Sequence, residues 1–369
     1  MTGEGVETAD GGDQGLERWA TWREIHQQPE IWRAWHEEFG SDEVRGWIAS
    51  LGAPEVWFCG AGTSAYIGDI LVAGLEGQGL ALRSVPTTDL VSRPAAYFDG
   101  RAPLVVNFGR SGGSPETLGT LDALDALAPE APRLNITCNA AGALAKRKAT
   151  GPCGVVVLPE ATHDSGFAMT SSFSTMLLTA LALFDPAPPP NALPRLGDAL
   201  ERLLPAFAEL GQETDVPDRI VFLGTGPLAF AAREAALKVM EMTAGRVAAL
   251  WESTLGFRHG PKSFVRDGTR IVLFTSGEAQ AALYEADLID ELSAQYPGAG
   301  LATIGPGAEN DPGLDMPDVW LAPLAVAFAQ VAGVIWSEAL GLDVDDPFAR
   351  VGTLSRVVSG VTLYPVVRG

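Results

Sequence analysis

Positive charge is scarce in this chain of 369 residues: 25 Lys and Arg stand against 46 Asp and Glu, for a formal net charge of −21. That balance argues against nucleic acid and anionic membrane as partners, because both demand basic surface. An anionic small molecule can still be held, but only by a local cluster of donors. Cysteine is rarer still. Cys59, Cys138 and Cys153 are odd in number and widely spaced, which predicts buried reduced thiols rather than a disulfide framework or a zinc site. The four histidines, His26, His36, His163 and His259, show no metal-ligand spacing, so no metal site is expected. Long apolar runs are also missing. The most apolar segment, Leu324 to Leu340, is broken by Gln330 and reads as a buried core helix. The N-terminus, MTGEGVETADGGDQG, is acidic without an apolar centre, so it reads as no secretory signal. Residues 1–15 are expected to form a disordered tail, and the cytoplasm is the expected location.

What remains is a globular composition, 47% apolar and 19% charged, long enough for two domains with proper cores. Residues 16–51 carry Trp22, Trp32, Trp35 and Trp47 in helical patterning and predict a helical clasp on the first domain. Short β-type runs follow at Val56–Cys59, Leu82–Val85, Leu104–Phe108, Leu134–Thr137 and Val155–Leu158, spaced as βαβ units. A helix over 170–184 and the run Pro186-Ala187-Pro188-Pro189-Pro190 close a first domain at 52–190.

The pattern then restarts. Ile220–Leu223 is a strand, and Gly224-Thr225-Gly226 repeats Gly60-Ala61-Gly62 at an offset of 224 − 60 = 164 residues. A helix from Leu228 to about Thr243 and strands at 247–251, 271–274 and 301–304 follow. The reading is an internal duplication: two doubly wound parallel-sheet α/β domains in tandem, the second at 191–345, with a C-terminal tail at 346–369. Only the first half keeps polar loops.

Two of those loops have the form of an anion cradle, a glycine-rich turn between strand and helix. Gly60-Ala61-Gly62-Thr63-Ser64 is one; a tight turn with a capped helix also explains it. The other is Gly109-Arg110-Ser111-Gly112-Gly113-Ser114-Pro115-Glu116-Thr117. Helix capping by Ser114 before Pro115 explains part of that loop, but not the gathering of Ser111, two glycines and Thr117. Both loops lie at carboxyl ends of strands, where doubly wound sheets bind ligands. Arg110 either adds charge or sits on the surface. Ser171 and Ser172 either add hydroxyls to the pocket or cap their own helix.

The second half holds groups able to move protons. Glu234, Lys238 and Glu241 recur at i, i+4 and i+7, on one helix face, which also suits a solvated ion-pair face. His259 sits in the Gly/Pro-bounded loop Gly256-Phe257-Arg258-His259-Gly260-Pro261-Lys262-Ser263, free to meet a ligand or to be a plain loop histidine.

Together these motifs resemble tandem sugar-isomerase (SIS) domains, as in the isomerase half of glucosamine-6-phosphate synthase. The runs Phe58 to Ser64, Phe167 to Phe173 and Gly256 to Ser263 are more similar to the AgaS-type branch, galactosamine-6-phosphate deaminase/isomerase or tagatose-6-phosphate ketose/aldose isomerase. The resemblance implies a flavodoxin-like fold and phosphate contacts from Gly62, Thr63, Ser64, Ser111, Gly112, Ser114 and Thr117. It implies Glu241 as the base between C1 and C2, and His259 as the ring-opening group, reaching into the site of a partner subunit in a homodimer. Two departures matter. Position 2 is Thr2, without the synthase's glutaminase domain, and no lysine follows Lys262, so neither glutamine-dependent synthesis nor a tail-lysine Schiff base is expected. Arg356 is the nearest tail cation.

The expected activity is conversion of an amino-hexose 6-phosphate, galactosamine 6-phosphate first, to a ketose 6-phosphate and ammonia. Lys238 would tune the base. No cofactor is expected, since the substrate's own carbonyl or imine stabilises the carbanion. Alternatives are a plain aldose–ketose isomerase, a fructosamine-phosphate deglycase and a non-catalytic sugar-phosphate-binding regulator.

Overall fold

The computed structural model describes residues 15–366 except Gln78, Asp99, Arg101, Thr214, Val351 and Thr353. The tail expected at 1–15 therefore lies outside the described residues apart from Gly15. The chain opens with α1 (Ala20–His26), α2 (Gln28–Glu38) and α3 (Ser41–Ser50), where the tryptophan-rich segment predicted helix. The first repeat follows as β1 (Glu55–Gly60), α4 (Thr63–Gly74), β2 (Ala81–Pro86), α5 (Thr87–Ser92), β3 (Leu104–Gly109), α6 (Pro115–Leu127), β4 (Arg133–Thr137), α7 (Ala143–Lys146), β5 (Cys153–Val157) and α8 (Ser171–Phe184). A long helix, α9 (Ala192–Gln212), leads to the second repeat: β6 (Arg219–Gly224), α10 (Pro227–Met242), β7 (Ala248–Ser253), β8 (Arg270–Phe274), α11 (Ala279–Gln295), β9 (Gly300–Ile304) and α12 (Asp318–Ala339).

Both sheets are wholly parallel, in the orders β2-β1-β3-β4-β5 and β7-β6-β8-β9. The first order is the flavodoxin-like one, and the second reproduces it without a fifth strand. Alternation along each strand sends neighbours to opposite faces. Val56 and Phe58, like Ile220 and Phe222, enter one shared core with α4, α8, α9, α10 and α12. Trp57, Cys59 and Val105 lie in a second cluster, and Val221, Leu223 and Leu273 in a third, with Leu288 and Leu292 of α11. α12 is long and apolar enough to cross a membrane, yet it is buried in protein along almost all its length. The clasp reaches further than expected: α1 and α2 contact α12 and α9 as well as α8, so it grips both halves.

The duplication extends to backbone angles. Gly62 has φ +55° and ψ −130°, and Gly226 has φ +56° and ψ −126°, a conformation that favours glycine. A Cβ on Gly60 would press on Ser64 backbone, and one on Gly224 on Leu228 backbone. One thiol differs from expectation. Cys59 and Cys138 are buried, whereas Cys153 is exposed, because β5 is the sheet edge.

Candidate active site

The two repeats meet along α4 and α10. Asp69 of α4 pairs with Arg233 of α10 at 2.8 Å, and the Arg233 guanidinium stacks over Tyr66 and Trp251. One turn from that anchor, the face carrying Glu234, Lys238 and Glu241 turns inward onto Thr63, the first residue of α4. Lys238 Nζ donates to Thr63 Oγ1 at 2.9 Å and to Glu241 Oε2 at 2.5 Å, and stands 3.3 Å from Glu234 Oε1. Thr63 Oγ1 in turn donates to Glu234 Oε1 at 3.1 Å.

The solvated ion-pair face is thereby corrected: Glu234 and Lys238 side chains are 0% exposed, and Glu241 alone opens outward, at 24%. Burial works against the Lys238 ammonium, and the two carboxylates outweigh it, so its pKa rises. Burial pushes the Glu234 carboxyl up to about 7, with Lys238 opposing and Glu241 adding to the rise. Thr63 was expected on phosphate. Its hydroxyl is instead committed to this charged network.

The other anion-cradle residues sit at the carboxyl ends of β1 and β3, neighbours in the first sheet. Gly112 has φ +63°, and a side chain there would crowd the Thr137 hydroxyl. Asn139 Nδ2 donates to Ser111 O at 3.0 Å, which holds the loop's shape. Ser114 caps α6: its Oγ accepts from Thr117 N at 3.3 Å and lies 3.0 Å from Thr117 Oγ1. Ser111, Ser114 and Thr117 remain partly open, while Ser64 is buried beside Met169.

Arg110 is no surface arginine. It is 6% exposed, donates to the carbonyls of Gly166 and Phe167 at 3.3 Å and to Arg356 O at 3.0 Å. Burial lowers its pKa, and Asp164, Arg356 and Glu241 act on its charge, which puts Glu241 and the Ser111 loop in one electrostatic neighbourhood. Arg356 itself lies across this place, donating to Ser165 O at 2.7 Å.

Residues 164–167, of which only Phe167 belongs to a run that carries the family resemblance, are the site's keystone. Glu24 of the clasp accepts from Ser165 N at 2.5 Å and from Ser165 Oγ at 2.6 Å. Phe167 N donates to Asp345 O at 2.9 Å. Asp164 accepts from the backbone N–H groups of Thr170, Ser171 and Ser172 at 2.8, 3.0 and 3.0 Å, an anion at the start of α8. Ser172 Oγ also donates to Asp164, and Ser171 Oγ to Glu24 O at 2.6 Å. Both serines are fully buried, so their hydroxyls serve the helix start and the clasp rather than the open pocket.

His259 stands apart. It is exposed in a short 3₁₀ turn held by its neighbours, Arg258 and Lys262, both of which pair with Glu291. Among the described residues, no hydrogen bond or ion pair joins His259 to Glu241 within one chain, and no group of three or more His, Cys, Asp or Glu could hold a metal ion.

The D-galactosamine-6-phosphate deaminase AgaS of Shewanella sp. (strain ANA-3) is 38% identical over 362 residues, 94% of this chain and 92% of that protein. The chain belongs to the AgaS family. No family model matches it. Among solved structures, tagatose-6-phosphate ketose/aldose isomerase from Escherichia coli superposes with a TM-score of 0.82 at 32% identity, covering 98% of this chain and 99% of that one. The C-terminal domain of glucosamine-fructose-6-phosphate aminotransferase from Francisella tularensis shares the fold, with a TM-score of 0.69 at 18% identity over 93% of this chain and all of that one. In this AgaS-family chain, the glycine turns and the Glu234–Lys238–Glu241 face were visible in sequence. Asp164 and Glu24 were not identified as site supports; a lone acid a few residues before a Thr-Ser-Ser helix start is the signal that could have found Asp164.

Proposed function

We propose that the chain deaminates and isomerises an amino-hexose 6-phosphate, D-galactosamine 6-phosphate first, as a cytoplasmic homodimer. The phosphate sits on the Ser111–Thr117 loop, held by Ser111, Ser114 and Thr117 with backbone from Gly112 and the Gly62–Ser64 turn. Arg110 supplies positive potential from beneath, and Arg356 closes the rim. His259 of the partner subunit assists ring opening. Glu241 then takes the C2 proton from the open-chain amino aldehyde and returns it at C1, while O1 gains a proton and the amine nitrogen loses one, leaving a C1 alcohol and a C2 imine. Water adds to that imine and ammonia leaves, giving the ketose 6-phosphate. General acid–base help of this kind contributes roughly 10²–10⁴ in rate, and the phosphate anchor supplies positioning.

The observation that carries the reading is the bond from Lys238 to both Thr63 and Glu241. It ties the start of the anion-cradle helix to the one carboxylate of that face that opens outward, so a substrate anchored at one end meets a base at the other. The test measures ammonia release from galactosamine 6-phosphate and glucosamine 6-phosphate, with tagatose 6-phosphate interconversion alongside. Ammonia from the first at the highest kcat/KM supports the proposal. Sugar interconversion without ammonia makes the chain an aldose–ketose isomerase using the same residues, and binding without turnover makes it a sensor.

A further inference from the structure

Glu234 has no role in the steps above, yet it is the most enclosed acid of the site. Its Oε1 accepts from Thr63 and lies 3.3 Å from Lys238 Nζ, while its Oε2 has no protein partner. Lys238 can donate three times, and Thr63, Glu241 and Glu234 consume all three. One ammonium thus serves two carboxylates at unequal distances, 2.5 Å and 3.3 Å. With both acids ionised the cluster would carry a net negative charge around the fully enclosed Glu234 and Lys238 side chains, which burial disfavours strongly. The more distant, fully buried acid is the one that takes the proton.

We propose that Glu234 is a positioning residue that works as the neutral acid: it holds Thr63 while leaving Lys238 to Glu241, and its ionisation draws Lys238 away from the base. This rests on the proposed role of Glu241. Lys238 and Glu241 face Glu234 from its own helix, and α4 contributes the uncharged Thr63 hydroxyl. β7 brings Trp251 against Arg233. The middle of α12 is apolar apart from Gln330, which pairs with Gln28. Arg110 acts on Glu241. Burial places the titration near neutrality, so working enzyme is lost as pH rises through that range.

Glu234→Gln mimics the neutral acid at nearly constant shape. The kcat/KM–pH profile of the variant should lose an alkaline inflection that the wild type shows near neutrality and exceed the wild type by roughly tenfold or more at pH 9. Phosphate and amine of the substrate titrate identically with both proteins, so the difference between profiles isolates the protein group. Infrared difference spectra between pH 5 and pH 9 supply a readout independent of turnover, namely a protonated-carboxyl C=O component that wild type shows and Glu234→Gln lacks, beyond the contributions of the raised Glu24 and Glu285 carboxyls that both proteins share. Matching profiles, or a variant slowed a hundredfold at every pH, would overturn the proposal, because the charge or mere packing would then be what counts. If wild type turns over no sugar phosphate, the deaminase reading fails and the infrared band still decides where the proton lies; its absence refutes the neutral acid.

Discussion

The two repeats share a strand order and a glycine turn but treat their central loops in opposite ways. By strand register Val56 pairs with Leu104 and Ile220 with Arg270, so Arg110 and Ser111 of the first repeat correspond to Ser276 and Gly277 of the second. In the first, a loop of five residues, 110–114, separates β3 from α6 and presents Ser111, Ser114 and Thr117. In the second four residues, 275–278, separate β8 from α11, and the protein's own acids fill the place of an anion. Asp318 accepts from Gly277 N at 2.8 Å and from Ser276 Oγ. Glu285 accepts from Ser276 N and Thr225 Oγ1, each at 2.8 Å. One fold element supports two outcomes: a backbone and hydroxyl cradle left open to a ligand, or the same cradle closed by carboxylates from α11 and α12. The closed repeat contributes instead through α10, whose acids reach across to α4.

That division predicts separable kinetics. Glu241→Gln should cut kcat by roughly 10²–10⁴ with KM little changed, because in the proposed mechanism the base meets the reacting carbon rather than the anchor. Steady-state rates of ammonia release check it, and intact turnover would remove Glu241 from the mechanism. The complementary change is Ser111→Ala. Losing a hydrogen bond to a charged phosphate costs about 1.5–3 kcal/mol, so KM should rise roughly ten- to hundredfold while kcat moves much less. A variant with lower kcat at unchanged KM would break the division between anchoring half and reacting half.

The glycines and hydroxyls of the open repeat were legible because they act locally: a φ of +55° at Gly62 or a cap at Ser114 is written in a few neighbouring residues. The strands were legible for the same reason. Burial was not. The spacing of Glu234, Lys238 and Glu241 suits a wet surface or a buried network equally well, and the choice is made by Thr63, 171 residues before Glu234. Arg110 read as a surface arginine because its acceptors, the carbonyls of 166, 167 and 356, are backbone and carry no sequence signature. α9, an amphipathic helix of 21 residues, went unread beyond the proline-rich run that precedes it. In the proposed mechanism His259 reaches Glu241 only from a second subunit, which a single sequence does not display.

The closed cradle can be tested from the side of stability. Asp318→Ala strips the acceptor from Ser276 Oγ, which is buried, and from Gly277 N on the exposed side of the turn. The orphaned Ser276 hydroxyl costs about 1–3 kcal/mol, so the urea midpoint should fall while KM for the sugar phosphate stays as it was. Adding inorganic phosphate should recover part of the lost midpoint if the backbone there still accepts anions. A large KM effect would mean that the second repeat's loop takes part in substrate binding after all.

Glu285→Gln probes the same place more gently, through pH. Burial raises the Glu285 carboxyl above its ordinary range, while its bonds to Ser276 N and Thr225 work the other way. A carboxyl whose folded pKa is raised contributes stability fully present below its unfolded pKa, and that contribution is lost as pH rises through the folded value. The amide of Glu285→Gln does not titrate. Its one oxygen accepts from Ser276 N and its NH2 can donate to the Thr225 hydroxyl only if that hydroxyl turns, a rearrangement whose cost is the same at every pH. The variant should therefore start less stable than wild type at acid pH and recover part of the deficit as pH rises, a slope superimposed on a constant offset. Denaturation midpoints at pH 5 and pH 8 read both quantities. A deficit that widens with pH would mean the Glu285 carboxylate is stabilised as the anion by its two donors, and the closed cradle would then be as good an anion site as the open one.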